Sequence, residues 1–238
     1  MNGLALALAA VAVAGGAAVQ GVVGFGASLF AVPFLLLIEP RLVPGPATIG
    51  GMILNVLMLL GHRAHTDRRG LAWIVVGMLP GTALAGFALA AFNHDDLAIL
   101  SGAAILVAVG LSAFGRTPGR AVRWLVSAGV LSGFMGTTAA VSGPPLALLY
   151  QHEDGPTIRG TLPPAFLVGA IVTLITLAAA GRLPASDWAI GAALAPASAA
   201  GFLLTRRVAH RVRGGALRAA VLAISATSAL AAIVRAVW

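Results

Sequence analysis

Residues 19–38 read VQGVVGFGASLFAVPFLLLI, an apolar run interrupted at Gly21, Gly24, Gly26 and Ser28 and again at Pro33. Inside a helix, glycine costs about 0.5–1 kcal/mol relative to alanine, and proline removes a backbone donor. The run therefore predicts a helix that breaks in its middle. Backbone freed at membrane depth has no water to bond, and each unsatisfied N–H or C=O costs several kcal/mol there. Such a break persists only where it is buried in protein or lines a polar cavity. This stretch thus sets both the fold and the place to look for function.

The pattern returns in LSGFMGTTAAVSGPPLALLY at residues 131–150. Laid beneath 19–38, it pairs Gly21 with Gly133, Gly24 with Gly136, Ala27 with Ala139, Pro33 with Pro145, Leu36 with Leu148 and Leu37 with Leu149. A second register, offset only slightly from the first, sets 71–89 over 186–204. It pairs Trp73 with Trp188, Gly86 with Gly201 and Phe87 with Phe202. Two collinear registers that share Trp, Pro and Gly-Phe read as a tandem duplication. The expected organisation is one membrane domain over residues 1–238, with repeat 1 at about 1–118 and repeat 2 at about 119–238.

Composition agrees with a membrane location. With 59% hydrophobic and 9% charged residues and a mean hydropathy of +0.98, a soluble domain of 238 residues is excluded, because its surface could not be covered with polar groups. The net charge of +8 arises from arginines set in short clusters between apolar runs. The positive-inside rule accounts for that placing, so nucleic acid is not an expected partner. The chain has no cysteine and hence no disulfide, thiolate ligand or cysteine nucleophile. Residues 3–14 have the apolar character of a signal-peptide core, but no basic residue precedes them, and they are read as mature membrane helix.

In chain order, the first broken element covers about 3–38, and helices follow at 47–61, 71–92 and 97–114. The second broken element covers about 124–150, with helices at about 161–180, 187–205 and 215–237. Arginine counting decides how the second break is threaded. If 124–150 crosses the membrane once, eight arginines fall on one side and seven on the other. If it is a re-entrant hairpin, twelve fall on one side and only Arg41, Arg182 and Arg235 on the other. The hairpin wins, with two arms of about 12 residues, or ~18 Å each, meeting near the midplane. The expected fold is an all-α integral membrane protein of two inverted-topology repeats. Each repeat is a broken, re-entrant element followed by three transmembrane helices. Arginine-rich loops are then cytoplasmic and both termini periplasmic.

The half-helices expected to start at about Ser28 and about Pro145 turn free N–H groups and positive dipole ends towards one cavity, which suits an anion. The expected binding set is Gln20, Gly24, Phe25, Gly26, Ser28, Asn55, Gly136, Thr137, Thr138, Ser142 and Gly143. The polar members donate hydrogen bonds, the glycines let an oxyanion approach the backbone, and Phe25 walls or gates the space. Each has a structural reading beside this one, since Ser and Thr in membrane helices often bond back to their own helix and Phe25 packs equally well as core. The seven acids lie in or beside loops, leaving no buried carboxylate for a proton relay, and the five histidines are too dispersed for a metal. No cofactor, metal or catalytic residue is expected. Helix faces rich in Gly and Ala serve internal packing or a homo-oligomer equally well.

The segments GVVGFGASLFAVPFLLL (21–37) and GFMGTTAAVSGPPLALLY (133–150) resemble the TauE/SafE family, and the resemblance covers nearly the whole chain. Many members carry a glycine run where this chain has Gly26-Ala27-Ser28 and Thr137-Thr138-Ala139. The resemblance implies a bacterial inner-membrane transporter of sulfite or organosulfonates such as sulfoacetate, working as an exporter. The residues alone leave open a membrane assembly or scaffold protein, or a carrier of another small solute.

Overall fold

The structure, a computed structural model, describes residues 2–92, 94–114 and 119–206, together with residues 222–223, 226–227, 230–231 and 234. The helix expected over 215–237, the arginine-rich segment before it and Trp238 lie outside, or almost wholly outside, the described residues. Those described are helical and contain no strand. In chain order the helices are α1 (Gly3–Val23), α2 (Ala27–Ile38), α3 (Gly45–His62), α4 (Arg68–Ala91), α5 (His94–Phe114), α6 (Val122–Ala139), α7 (Gly143–Tyr150), α8 (Gly155–Ala179) and α9 (Ala185–Arg206). Among the described residues, α1, α4, α8 and residues 185–205 of α9 are long and apolar enough to cross a membrane. Phe87, Phe114, Ile175 and Leu204 stand exposed on the outer faces, where a water-soluble protein would be covered with polar groups. This is a multi-pass membrane protein.

Both broken elements are present, but their arms are unequal. The expected arms of about 12 residues are instead 21 and 12 residues in α1 and α2, and 18 and 8 in α6 and α7. The chain leaves the helix only where the backbone turns left-handed. In the first break this happens at Gly24 (φ 95°) and Gly26 (φ 100°), and in the second at Ala140 (φ 55°). An L side chain at φ near 100° is strained, so glycine is required at both positions of the first break. The breaks fall where these residues stand and not at the centre of each hairpin. Helix α8 begins at Gly155, well before the expected 161, because the Asp154 carboxylate accepts from the Thr157 N–H at 3.0 Å and caps it. Arg159, expected in a loop, therefore lies on a helix.

Contacts between loops define two faces. On one, the Thr66 hydroxyl donates to Gly160 O (2.8 Å) and the Asp67 N–H to Thr161 Oγ1 (2.9 Å). Arg120 bonds both Asp67 and Glu153 there. The linker before α6 and the loop after α7 are thus on the same face, so the second broken element enters and leaves from that side. On the other face Arg182 donates to Phe92 O at 2.9 Å. The first element closes on that opposite side, where Leu6 and Ala10 of α1 pack with Ile38, Leu42 and the α9 residues Ile190 and Leu194.

Small residues let the helices approach closely. Gly77 and Gly81 of α4 lie against the carbonyls of Val126 and Val130 on α6, and Gly129 of α6 lies against Ile74 O. Gly201 of α9 lies against Ala14 O of α1. A methyl at any of these positions would strike backbone, and such small-residue contacts are how membrane helices pack without a hydrophobic drive between them.

Candidate functional site

The two breaks meet. A Cβ built on Gly143, the first residue of α7, would lie 3.9 Å from Gly26 N and 3.8 Å from the Phe166 ring. Around this junction is a cavity of about 90 Å³, enough for several waters or one small polyatomic ion. The first break contributes Gln20, Gly26, Ala27 and Ser28, and the second Gly136, Ala140, Ser142 and Gly143. Helix α3 adds Thr48, Gly51 and Asn55, helix α8 adds Phe166, Ala170 and Thr173, and α9 adds Ser198. Val13, Ala31, Leu35 and Leu54 form an apolar wall. Among the described residues the lining has no ionisable side chain.

Each break is held by its own hydrogen bonds. In the first, the Gly24 N–H returns to Gln20 O (2.7 Å), and Arg159 Nη2 donates to Val22 O (3.0 Å). Arg159 thereby satisfies a carbonyl that the end of α1 leaves orphaned and sets a positive charge against the negative end of that helix. In the second, Ser132 Oγ donates to Ser142 O (2.8 Å), and Ser101 Oγ of α5 donates to Thr138 O (2.8 Å). Gly136 must be small, since a Cβ there would sit 2.5 Å from Ser142 Oγ.

Of the eleven expected site residues, Gln20, Gly26, Ser28, Asn55, Gly136, Ser142 and Gly143 line this cavity. Gly24 does not; its Cα faces Ile158 and Arg159. Phe25 reaches the junction itself, its ring 4.0 Å from a Cβ built on Gly143, and also borders a separate apolar space of about 20 Å³ with Val19, Val23 and Leu29. Thr137 is buried behind the wall, its hydroxyl 2.8 Å from that of the lining residue Thr173. Thr138 bonds back to Phe134 O at 2.9 Å. Successive helical residues point about 100° apart, so Gly136 can face the cavity while its two neighbours turn away.

The donors differ from expectation at the second half-helix. It starts at Gly143, not Pro145, and Pro144 and Pro145 occupy its first turn. Neither proline has an N–H, so that end offers the amides of Ser142 and Gly143 and no more of the usual set. Hydroxyls supply the balance. The Ser142 side chain makes no capping bond, and Thr48 Oγ1 is buried without a partner. Thr48, Thr173 and Ser198 were not expected from sequence. Thr48 was within reach of it, because Thr48, Gly51 and Asn55 share one face of α3 at helical spacing.

The family described as sulfite exporter TauE/SafE matches residues 8–232. The chain belongs to that family. Membership of TauE/SafE makes it a membrane transport protein, and the match takes in both breaks and every helix that lines the cavity. No curated protein and no solved structure matches the chain.

At the far end of α7, this TauE/SafE chain has a polar cluster outside the cavity. Tyr150 OH donates to Asp67 Oδ2 (3.0 Å), and Arg120 Nη1 bonds the same oxygen (3.0 Å). The Arg120 guanidinium also lies 5.4 Å from the Tyr150 ring centroid. Asp67 caps α4 through the Gly70 N–H at 2.9 Å. The cluster fixes the outer end of the half-helix, and hence the position of Gly143 at its inner end. Among the described residues no group of three or more His, Asp or Glu is placed to hold a metal ion.

Proposed function

We propose that the protein is a secondary transporter that carries small sulfur oxyanions, sulfite or short organosulfonates, out across the bacterial inner membrane. The observation behind this reading is the convergence of two broken helices on one cavity lined by neutral donors and an apolar wall. A sulfonate has three acceptor oxygens and a carbon substituent. The amides near Gly26 and Gly143, with the hydroxyls of Ser28, Thr48 and Ser142, match the first, and Val13, Leu35, Leu54 and Phe166 match the second. Neutral donors bind an anion more weakly than an arginine clamp, and an exposed dipole end contributes only about 0.3–1 kcal/mol. A carrier must release what it binds, so moderate affinity is what transport needs.

The same proposal includes two inverted-topology repeats. Helix α1 packs on α9 and α6 on α4, so the first helix of each half lies against the corresponding late helix of the other, and the two hairpins close on opposite faces. This exchange is what a two-fold axis in the membrane plane would produce, with the cavity at the repeat interface. The arginine balance supports placing the Arg120 face in the cytoplasm.

The test is a thermal-shift screen of detergent-purified protein with sulfite, sulfate, sulfoacetate, sulfolactate and isethionate, followed by flux in proteoliposomes. Stabilisation by at least one sulfonate or sulfite and saturable flux of the same anion are expected. A protein that none of these anions stabilises or crosses would end the proposal.

A further inference from the structure

Gln20, a member of the expected binding set, is engaged at both ends of its amide. Its Oε1 accepts from the Ala27 N–H at 3.3 Å, and its Nε2 donates to Asn55 Oδ1 at 3.0 Å, with Met58 Sδ at 3.5 Å. Asn55 Nδ2 in turn donates to Gly51 O at 3.3 Å. Backbone groups terminate this chain at both ends, an N–H at Ala27 and a C=O at Gly51. The orientation of both amides is therefore fixed by the hydrogen bonds themselves.

Ala27 is the first residue of α2, and its N–H is one of the orphan donors at that helix start. The residue that ordinarily caps such an end is Gly26, which has no side chain to do so. Gln20, only 4% exposed, reaches across the break from the preceding helix and supplies the acceptor. The group that holds this donor is a neutral carbonyl at a long 3.3 Å, whereas charge-assisted bonds to an oxyanion close to about 2.7–2.9 Å. The same oxygen position that an anion needs is thus filled by a weaker resident.

Resting on the reading of this cavity as an oxyanion site, we propose that Gln20 is a resident acceptor on the Ala27 N–H, which a sulfonate or sulfite oxygen displaces, and not a ligand that adds to the anion's donors. Gln20 is then a specificity-determining positioning residue. It keeps the half-helix capped when the site is empty, so that only an acceptor stronger than a neutral amide opens it. Displacement also frees the Gln20 amide to move relative to Asn55, the bond that ties α1 to α3.

The two roles predict opposite signs for one substitution. A ligand's loss weakens binding, while a competitor's loss strengthens it. Methanesulfonate serves as the probe because it stays ionised throughout the useful pH range. Gln20→Leu, close in volume and without an acceptor, should bind methanesulfonate about 3- to 10-fold more tightly than the parent, the scale of one neutral hydrogen bond. Asn55→Leu, which unfastens the amide from α3, should move affinity the same way. Weaker binding by both variants would overturn the proposal while leaving the oxyanion site in place, whereas a parent that binds neither methanesulfonate nor sulfite would remove the site itself. A measurement on the unsubstituted protein guards against misfolded variants. The chain has two glutamines, Gln20 and Gln151, so ¹⁵N-glutamine labelling gives two side-chain amide signals. Saturating methanesulfonate should shift that of Gln20 and leave Gln151 unmoved, and an unmoved Gln20 signal in a protein that binds the anion would also overturn the proposal.

Discussion

Arg120 Nε lies 3.2 Å from Glu153 Oε1, joining the linker just before α6 to the loop just after α7. The two ends of this helix pair therefore lie at one face of the molecule, which predicts that they lie on one side of the bilayer. Since the chain has no cysteine, single cysteines at Gly119, Gln151 and Leu183 give clean labels. Positions 119 and 151 should react from the cytoplasmic side of intact cells and position 183 from the outside. Labelling of 119 and 151 from opposite sides would mean that residues 122–150 cross the membrane.

Gly51 offers the cleanest way to close the cavity. It lines the space from the middle of α3, and a Cβ there would meet nothing within 4 Å. Gly51→Ala should raise stability by about 0.5–1 kcal/mol through helix propensity, while Gly51→Leu should fill the void and abolish anion-induced stabilisation with the fold intact. Size exclusion and thermal unfolding with and without sulfite read both effects. A Leu variant that still responds to the anion would place the binding site elsewhere.

How much of this was legible in the sequence depends on whether the signal is local. The breaks were legible from clustered Gly and Pro that recur at matched positions, Gly21, Gly24 and Gly26 in the first and Gly133, Gly136 and Gly143 to Pro145 in the second, whereas Pro80 and Pro196 stay inside unbroken helices. Their meeting around Gly26 and Gly143 was legible only through the pairing of 19–38 with 131–150. Which way a residue faces was harder to read. Thr137 and Thr138 adjoin Gly136 in sequence but turn to Thr173 and Phe134, since one step along a helix rotates a side chain out of the site. Thr173 and Ser198 sit inside helices that stay continuous despite Pro163, Pro164 and Pro196, so no break in the chain marks them. The Asp67–Tyr150 bond spans 83 positions and rests on tertiary packing that no local pattern encodes.

The Asp67 carboxylate holds three partners, since it caps α4 through the Gly70 N–H and receives Tyr150 and Arg120. Asp67→Ala should cost about 2 kcal/mol, combining a lost cap of about 1 kcal/mol with a Tyr150 hydroxyl left without its acceptor. Asp67→Asn, which still caps, should cost less, and Arg120→Gln less again, because partly exposed ion pairs contribute about 0–1 kcal/mol. Thermal unfolding in one detergent ranks the three, and equal losses would show that the cap contributes nothing.

Asp154 gives a pH dependence outside the membrane-spanning helices. Hydrogen bonds from the Thr157 hydroxyl and backbone N–H hold its carboxyl below the ordinary range. A depressed folded-state value means that the ionised form is the one the fold favours. Its contribution is therefore present above the unfolded-state value and is lost as the pH falls through the folded one. Asp154→Asn should flatten the acid limb of the stability curve, and because the Asn amide oxygen still caps the Thr157 N–H, stability at neutral pH should fall only slightly. An identical acid limb in parent and variant would remove the effect.

Charge selectivity follows from what the cavity lining contains. The start of α2 and the amides of Ser142 and Gly143 turn partial positive charge inward, and among the described residues no carboxylate lines the space to balance it. A helix N-terminus attracts a sulfonate and repels a cation, and nothing in the lining replaces the hydration that a divalent cation would give up. Sulfite and methanesulfonate should therefore bind, with magnesium and neutral dimethyl sulfoxide giving no signal. With neutral donors and no arginine clamp, Kd should fall between about 1 µM and 1 mM, or about −8 to −4 kcal/mol. Gly143→Ala sharpens the test, since its methyl would enter the junction at ordinary van der Waals distance from Gly26 N and Phe166. It should weaken both anions at least tenfold without unfolding the protein. Calorimetry reads all of these heats, and a divalent metal that binds while sulfite, methanesulfonate and sulfate do not would reverse the assigned sign of the substrate.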